Sequence, residues 1–378
     1  MTWDAVVVGA GPAGALTSRE LALGGARVLL VDRSVFPRWK VCGGCLSAGG
    51  LRVLEEVGLG ELAGELGALP LRRLVLASGT RRARLGLDGS VAVSRTALDQ
   101  GLVDAATNAG VSFRPGWRAG STRLDGEVRL LSLRRGNEVI EVETRVVVDA
   151  TGLGAGINGG ESSPSWVEPG SRVGLGAVFD GTAAPVFAGH LDMTVGRAGY
   201  VGLVRLETGQ LNVAAAVDAD RLRASSPAEV IEEILGESRR PNLVGQPVQG
   251  WRGTPALTRR SSAGDRRVFR VGDSSGYVEP FTGEGMCWAL GAARALAPLA
   301  LRAVRAWDAD LLAAWEAYRQ NHIARSHRLC RALAWGLRRP VLARSAVGVL
   351  GMAPRLARPF VRSAAGVPRP FATRRATR

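Results

Sequence analysis

Three glycines carry the first chemical signal in this chain. Gly9, Gly11 and Gly14 fall in the run Gly9-Ala10-Gly11-Pro12-Ala13-Gly14, directly after the apolar Ala5-Val6-Val7-Val8 and before a helical pattern over residues 15–24. A second apolar run, Val28-Leu29-Leu30-Val31, ends at Asp32, 18 residues beyond the last glycine. Strand, glycine turn, helix, strand and acid in this order are the fingerprint of dinucleotide binding. Gly9 permits the tight turn, Gly11 lets a pyrophosphate approach the backbone, and Gly14 lets helix close on strand. The amino terminus of the helix that follows turns free N–H groups and a positive dipole end toward the phosphates. Asp32 is expected to accept both hydroxyls of an unphosphorylated adenosine ribose, with Arg33 beside it in the same candidate site.

Gly154-Ala155-Gly156-Ile157-Asn158-Gly159 fits the same spacing but not the same context. The strand before it, residues 145–148, ends five residues too early, and Gly160-Glu161-Ser162-Ser163-Pro164 is no helix start. The expectation is one dinucleotide, and any nicotinamide cofactor binds without a nucleotide fold of its own. Cys42 and Cys45 form a C-x-x-C, open to a redox dithiol or to small side chains filling a loop. Zinc needs about four ligands. Cys287, Cys330, His190, His322 and His327 form no spaced set with that pair, so no metal is expected. His322 and His327 lie on an arginine-rich helical run, where solvated or partner-facing roles are expected. Glu284 is read either as a proton relay or as a helix cap, and no Ser-His-Asp set can be picked out.

The glycine fingerprint alone does not separate NAD from FAD. Three further blocks do so by resemblance: residues 36–47, with Lys40-Val41-Cys42-Gly43-Gly44; residues 93–99, with Arg95-Thr96-Ala97-Leu98-Asp99; and Gly272-Asp273-Ser274-Ser275-Gly276, continuing to Pro280-Phe281-Thr282-Gly283-Glu284-Gly285. In order and spacing over roughly residues 1–300 the chain resembles FAD-dependent oxidoreductases of the geranylgeranyl reductase and aromatic hydroxylase type, with their glutathione-reductase-like Rossmann fold. The likeness is greatest to geranylgeranyl reductases. It implies FAD held by Gly9, Gly11, Pro12, Ala13, Gly14, Asp32, Arg33, Lys40, Cys42, Gly43, Arg95, Gly272, Asp273, Pro280, Gly283, Gly285 and Met286. Arg95 would lie near the FAD, Asp273 would hydrogen-bond the ribityl chain, and Cys42 would stand near the reacting carbon as the candidate catalytic residue. Gly283 and Gly285 let backbone lie against a flat ring, and the helix resuming at Met286 would point its dipole there.

Departures from the patterns guide the choice of chemistry. Many aromatic hydroxylases have histidine where Gly276 stands, and their Asp-Gly-x-x-Ser-x-x-Arg motif is here Asp149-Ala150-Thr151-Gly152, without serine or arginine. The Trp-x-Trp-x-Ile-Pro motif of tryptophan halogenases is absent around Trp166 and Pro169, and Lys40 is not where those enzymes place their lysine. The expected function is an FAD-dependent reduction of an alkene in an apolar small molecule, by hydride transfer from flavin and protonation of the other carbon. A flavin monooxygenase acting on an aromatic or polyketide-like metabolite is the alternative. NAD(P)H is the candidate external reductant.

These residues need a scaffold to converge. The expected class is α/β. A Rossmann-type FAD-binding domain (residues 1–70, 95–155 and 266–305) is interrupted by an antiparallel-sheet substrate domain (71–94 and 156–265). A helical, arginine-rich region, 306–378, follows. Residues 201–206 and 211–217, split by Glu207-Thr208-Gly209-Gln210, read as a hairpin. Residues 71–76 and 172–179 are further strands, and Ser226-Pro227 caps a helix through Leu235.

Charge and composition bound the partners. The net charge of +15 is concentrated: residues 317–378 hold fourteen arginines and no Asp or Glu, leaving 35 basic against 34 acidic residues over 1–316. Lys40 is the only lysine. That pattern fits a solvated basic face or an anionic membrane surface better than nucleic acid. Residues 341–352 are too short to span a bilayer but could lie on one. With 46% hydrophobic and 22% charged residues the chain is neither disordered nor collagen-like. No signal peptide, spanning segment or disulfide framework is read. The expected location is cytoplasmic, either free or peripheral to the inner face of the membrane.

Overall fold

A computed structural model describes residues 2–357, apart from 155, 158–165, 280, 282 and the side chains of Asp88 and Arg325. The first strand, Trp3–Val8, pairs in parallel with Val28–Asp32 on one side and Glu138–Asp149 on the other. Ser112–Pro115 and Val268–Arg270 extend the sheet outward, also in parallel. Both faces are buried, which is why these strands read as continuous apolar runs. Ala5, Val7, Val28 and Leu30 face the helices Pro12–Leu23, Arg95–Asn108 and Gly285–Arg305. Val6, Val8, Leu29 and Val31 face Trp117, Leu131 and Leu133 on the opposite side.

The second sheet holds Gln249–Ala256, Val173–Phe179, Leu211–Val217, Gly199–Arg205, His190–Val195, Leu69–Ser78, Arg81–Ala92 and the short Cys45–Leu46 in that order. The expected hairpin is present, pairing Val201 with Ala215 and Leu203 with Val213. One face packs Leu175, Val201, Val213 and Ala215 against Val230, Ile231, Ile234 and Leu235 of the helix Pro227–Glu237. Asn212 and Ala214 share the other face with Gly176, where a Cβ would meet Val41 at 3.0 Å. The sheet therefore leans small residues against the segment that carries Cys42. The chain is a mixed α/β protein whose parallel sheet is interrupted by this second sheet and followed by helices.

Ser226 accepts from the Glu229 amide, and the Glu229 carboxylate accepts from the Ser226 amide, closing a capping box at Pro227–Glu237. Ser226→Ala is expected to lower stability by about 1 kcal/mol in denaturant melts while flavin binding is retained.

The carboxy-terminal helices are Ala309–Tyr318, Ala324–Leu337 and Pro340–Met352, the first two joined by a π turn at Arg319–Ile323. They are tied to both sheets. Fully buried Trp315 donates Nε1–H to the Arg270 carbonyl at 2.9 Å, and Arg319 donates to the carbonyls of Ser261 and Ser275. Arg338 lies 3.5 Å from Asp218 and 3.7 Å from Glu279, which also pairs with buried Arg172 at 3.3 Å. Several arginines that composition alone assigns to a solvated tail thus face inward, and residues 358–378 lie outside the described part. Among the described residues one helix, Gly285–Arg305, is long and apolar enough to cross a membrane, and it is mostly buried in the core.

Candidate functional site

Backbone proximity shapes the glycine turn. Gly9 has φ +105°, and a Cβ there would sit 2.3 Å from the Ala150 carbonyl oxygen. A Cβ on Gly14 would fall 1.8 Å from the Gly9 oxygen. Gly11 differs: its Cβ would point into open space faced by the guanidinium groups of Arg95 at 3.4 Å and Arg38 at 3.8 Å. A loop of exposed backbone at a helix start, ringed by two arginines, is a cradle for a doubly charged pyrophosphate. Asp32 holds the turn from beneath, accepting from the amides of Ala10 and Ser34, each at 2.8 Å. Arg33 stands exposed beside it.

Asp99 organises the two arginines. Fully buried, it accepts two parallel bonds from Arg95 at 2.8 Å and pairs with Arg38 at 2.9 Å. The geometry follows from the helix Arg95–Asn108, capped by the Ser94 hydroxyl, where Arg95 and Asp99 stand one turn apart.

The third block closes on the first. Gly272–Ser275 forms a 3₁₀ turn in which a Cβ on Gly272 would lie 2.9 Å from the Ala13 Cβ. Gly283, φ +75°, faces the Cys45 Cβ, and Gly285 opens the long helix with the Tyr277 hydroxyl close by. Met286 is buried in the core behind it. Pro280 lies outside the described residues. The Cys42-Gly43-Gly44 loop is anchored from the second sheet by Asn212, whose Nδ2 donates to the Cys42 carbonyl at 2.9 Å. Trp39, Lys40, Cys42, Gly44, Ser94, Arg95, Leu206 and Asn212 line one cavity between the two sheets. Elements far apart in sequence thus bring a phosphate cradle and an apolar, cysteine-bearing loop together.

The family described as "FAD binding domain" matches residues 2–155, which contain that cradle. The chain is 26% identical over 353 residues to a menaquinone reductase of Mycolicibacterium smegmatis, covering 88% of this chain and 83% of that protein. It is also 26% identical over 317 residues to digeranylgeranylglycerophospholipid reductase 1 of Methanopyrus kandleri, covering 82% and 83%. The solved structure of the flavin-dependent brominase Bmp2 superposes with a TM-score of 0.78 at 17% identity, over 97% of this chain and 94% of that one. Residues 2–155 match that FAD-binding family, and the relatives support a place in the FAD-dependent oxidoreductase superfamily. Its cofactor is FAD.

In this flavoprotein the charges around the cavity are mutually adjusted. Burial, reinforced by the positive charges of Arg95 and Arg38, lowers the Lys40 ammonium to about 8, while Asp273 and Asp99 pull the other way. Burial raises the Asp273 carboxyl, and Lys40 and Arg95 oppose it. The Cys45 thiol is pushed up to about 12 by burial and by Cys42, so it is a poor thiolate, and both cysteines are free. This weakens the reading of the pair as a redox dithiol. Among the described residues no group of His, Cys, Asp and Glu could hold a metal.

Other expectations change. Glu284 occupies the cap position of Gly285–Arg305 but makes no side-chain capping bond there, and the Cys330 thiol approaches its carboxylate at 3.9 Å. His327 is half-buried. Its ring meets Trp288 at 4.9 Å between centroids, and burial, with Arg331 and Arg319, lowers it to about 4. Arg38 is the member of this charged cluster that motif reading passes over. Its only signal was a cation inside the block Phe36-Pro37-Arg38-Trp39-Lys40, and its partner Asp99 lies in a different block.

Proposed function

We propose that this flavoprotein is a reductase of an unsaturated, apolar small molecule, with prenyl-bearing lipids or quinones as the substrate class. The observation that carries the reading is the Cys42-Gly43-Gly44 loop, held against an apolar sheet face through Asn212 and Leu206. The names of the two reductase relatives support it at the level of the superfamily. Bound FAD, when reduced, supplies the hydride.

The chain supplies position and protons. Gly11 exposes backbone to the pyrophosphate while Arg38 and Arg95 balance its charge. Asp32 is assigned to the adenosine ribose, and Asp273 with Lys40 to the ribityl region. The amino terminus of Gly285–Arg305 would turn its positive end toward the bound ring and favour negative charge there. Cys42 would stand near the reacting edge of the bound ring, and Leu206 and Trp39 line the same cavity. Burial holds the Tyr277 hydroxyl well above its ordinary value, so its Oη keeps a proton at neutral pH beside Gly285. NAD(P)H is assigned as the external donor, delivered without a nucleotide fold of its own.

Lys40 gives a pH signature. Below about 8 its ammonium is charged and attracts the cofactor; above that it is neutral. A bound anion favours the charged form, so FAD affinity is expected to fall as pH rises through about 8 or somewhat above. Fluorescence titration should find that step in the native protein and a flat profile in Lys40→Met.

The reading is tested by anaerobic reduction of the flavin, followed by mixing with prenylated alkenes or quinones. Reoxidation that depends on the acceptor, with a saturated or hydroquinone product, supports a reductase. If the reduced protein is inert to these acceptors but, given oxygen, places an oxygen atom on an aromatic compound, the monooxygenase replaces it.

A further inference from the structure

The helix Pro340–Met352 has two apolar faces, and among the described residues only one is packed. Ala343 and Val347 are buried against the hairpin formed by Leu69–Ser78 and Arg81–Ala92. On the outward side Val341, Leu342, Val349 and Met352 project into solvent, with Val341 74% and Met352 81% exposed. Trp335, on the preceding helix, and Leu356, just beyond, are exposed too. An amphipathic surface helix normally turns charge outward. Here the outward face is apolar, and the charge is placed around its rim.

That rim is of one sign. Arg339 lies across the Trp335 ring at 3.5 Å, and Arg344 and Arg355 are exposed on either side of the stripe. The Arg81 side chain reaches within 3.6 Å of where a Gly348 Cβ would stand. The hairpin beneath holds five arginines and one acid, Asp88, over residues 69–92, and residues 317–378 contain no acid at all.

We propose that this face is a membrane-docking surface for an anionic leaflet. The apolar stripe would enter the boundary between headgroups and acyl chains, and the arginine rim would meet lipid phosphates. Trp335 with Arg339 above it has the amphipathic character favoured at that depth. Arg319, Arg331 and Arg338 take no part, since they are engaged with Ser275, Glu168 and Glu279. The assignment concerns this helical face alone and holds whichever substrate the flavin serves.

The test is co-sedimentation of the full-length, FAD-loaded protein with phosphatidylcholine vesicles and with mixed phosphatidylcholine–phosphatidylglycerol vesicles, at low and high salt. The native protein is expected to pellet with the anionic vesicles at low salt and to be released by salt. The double variant Val349→Glu, Met352→Glu should bind about tenfold or more weakly. Both positions are exposed, so flavin absorbance and melting temperature should be unchanged, and flavin reduction with it. The quieter pair Val349→Ser, Met352→Ser serves if the acidic variant melts early. Equal sedimentation of native and variant protein would overturn the proposal, as would no binding at low salt. Two further results would also overturn it: a dimer dispersed by the variant without vesicle binding, or retention by duplex DNA in place of vesicles.

Discussion

Gly14→Val is expected to yield a colourless protein that melts early or fails to fold. The new Cβ would fall 1.8 Å from the Gly9 oxygen and 3.0 Å from the Ala150 Cβ. Neither can retreat, because Gly9 is itself pressed against the Ala150 carbonyl. Overpacking against side chains typically costs about 1–3 kcal/mol, and a clash with fixed backbone belongs at or beyond the top of that range. Gly11→Ala is the informative contrast. Its methyl would meet nothing closer than the Arg95 guanidinium at 3.4 Å, so the fold should survive while FAD affinity falls. The ratio of flavin to protein absorbance, read beside a thermal melt, separates the two effects. A yellow Gly14→Val protein with native melting would mean that helix and strand do not close at this point.

Asp99→Leu is expected to destabilise the protein by about 3 kcal/mol when free of FAD, since it strands the buried Arg95 guanidinium and leaves Arg38 only Asp32 at 3.7 Å. Arg95 would lose two 2.8 Å bonds and Arg38 its 2.9 Å ion pair. If both arginines face the pyrophosphate, FAD supplies the missing negative charge. Excess FAD should then restore more stability to the variant than to the native protein, within what mass action allows. Denaturant melts with and without FAD test this. Equal gains in both proteins would place the arginines away from the cofactor.

Local rules made part of this molecule legible. Gly9, Gly11, Gly14 and Asp32 could be read because turn, helix start and acid lie within one βαβ unit, where sequence spacing is spatial spacing. The alternation of Val6 and Val8 against Ala5 and Val7 likewise sorts residues to two faces before any partner is known. Arg38 was not legible, because its role depends on Asp99, brought to it only by tertiary packing. His327 was legible only in part for the same reason: its contact with Trp288, which half-buries it, is made by packing and leaves no mark in the arginine-rich run. The basic tail is a third case. Composition weighs its arginines equally, while ion pairs with Glu168, Asp218 and Glu279 turn some of them inward and leave Arg339, Arg344 and Arg355 outside.

Mass spectrometry of the chromophore released by acid from the purified protein tests the cofactor assignment most directly. One FAD per chain is expected, with occupancy lost in Gly11→Ala and Asp273→Ala ahead of any change in melting. A colourless chain that neither takes up FAD nor quenches its fluorescence, or one that retains FMN instead, would contradict the account.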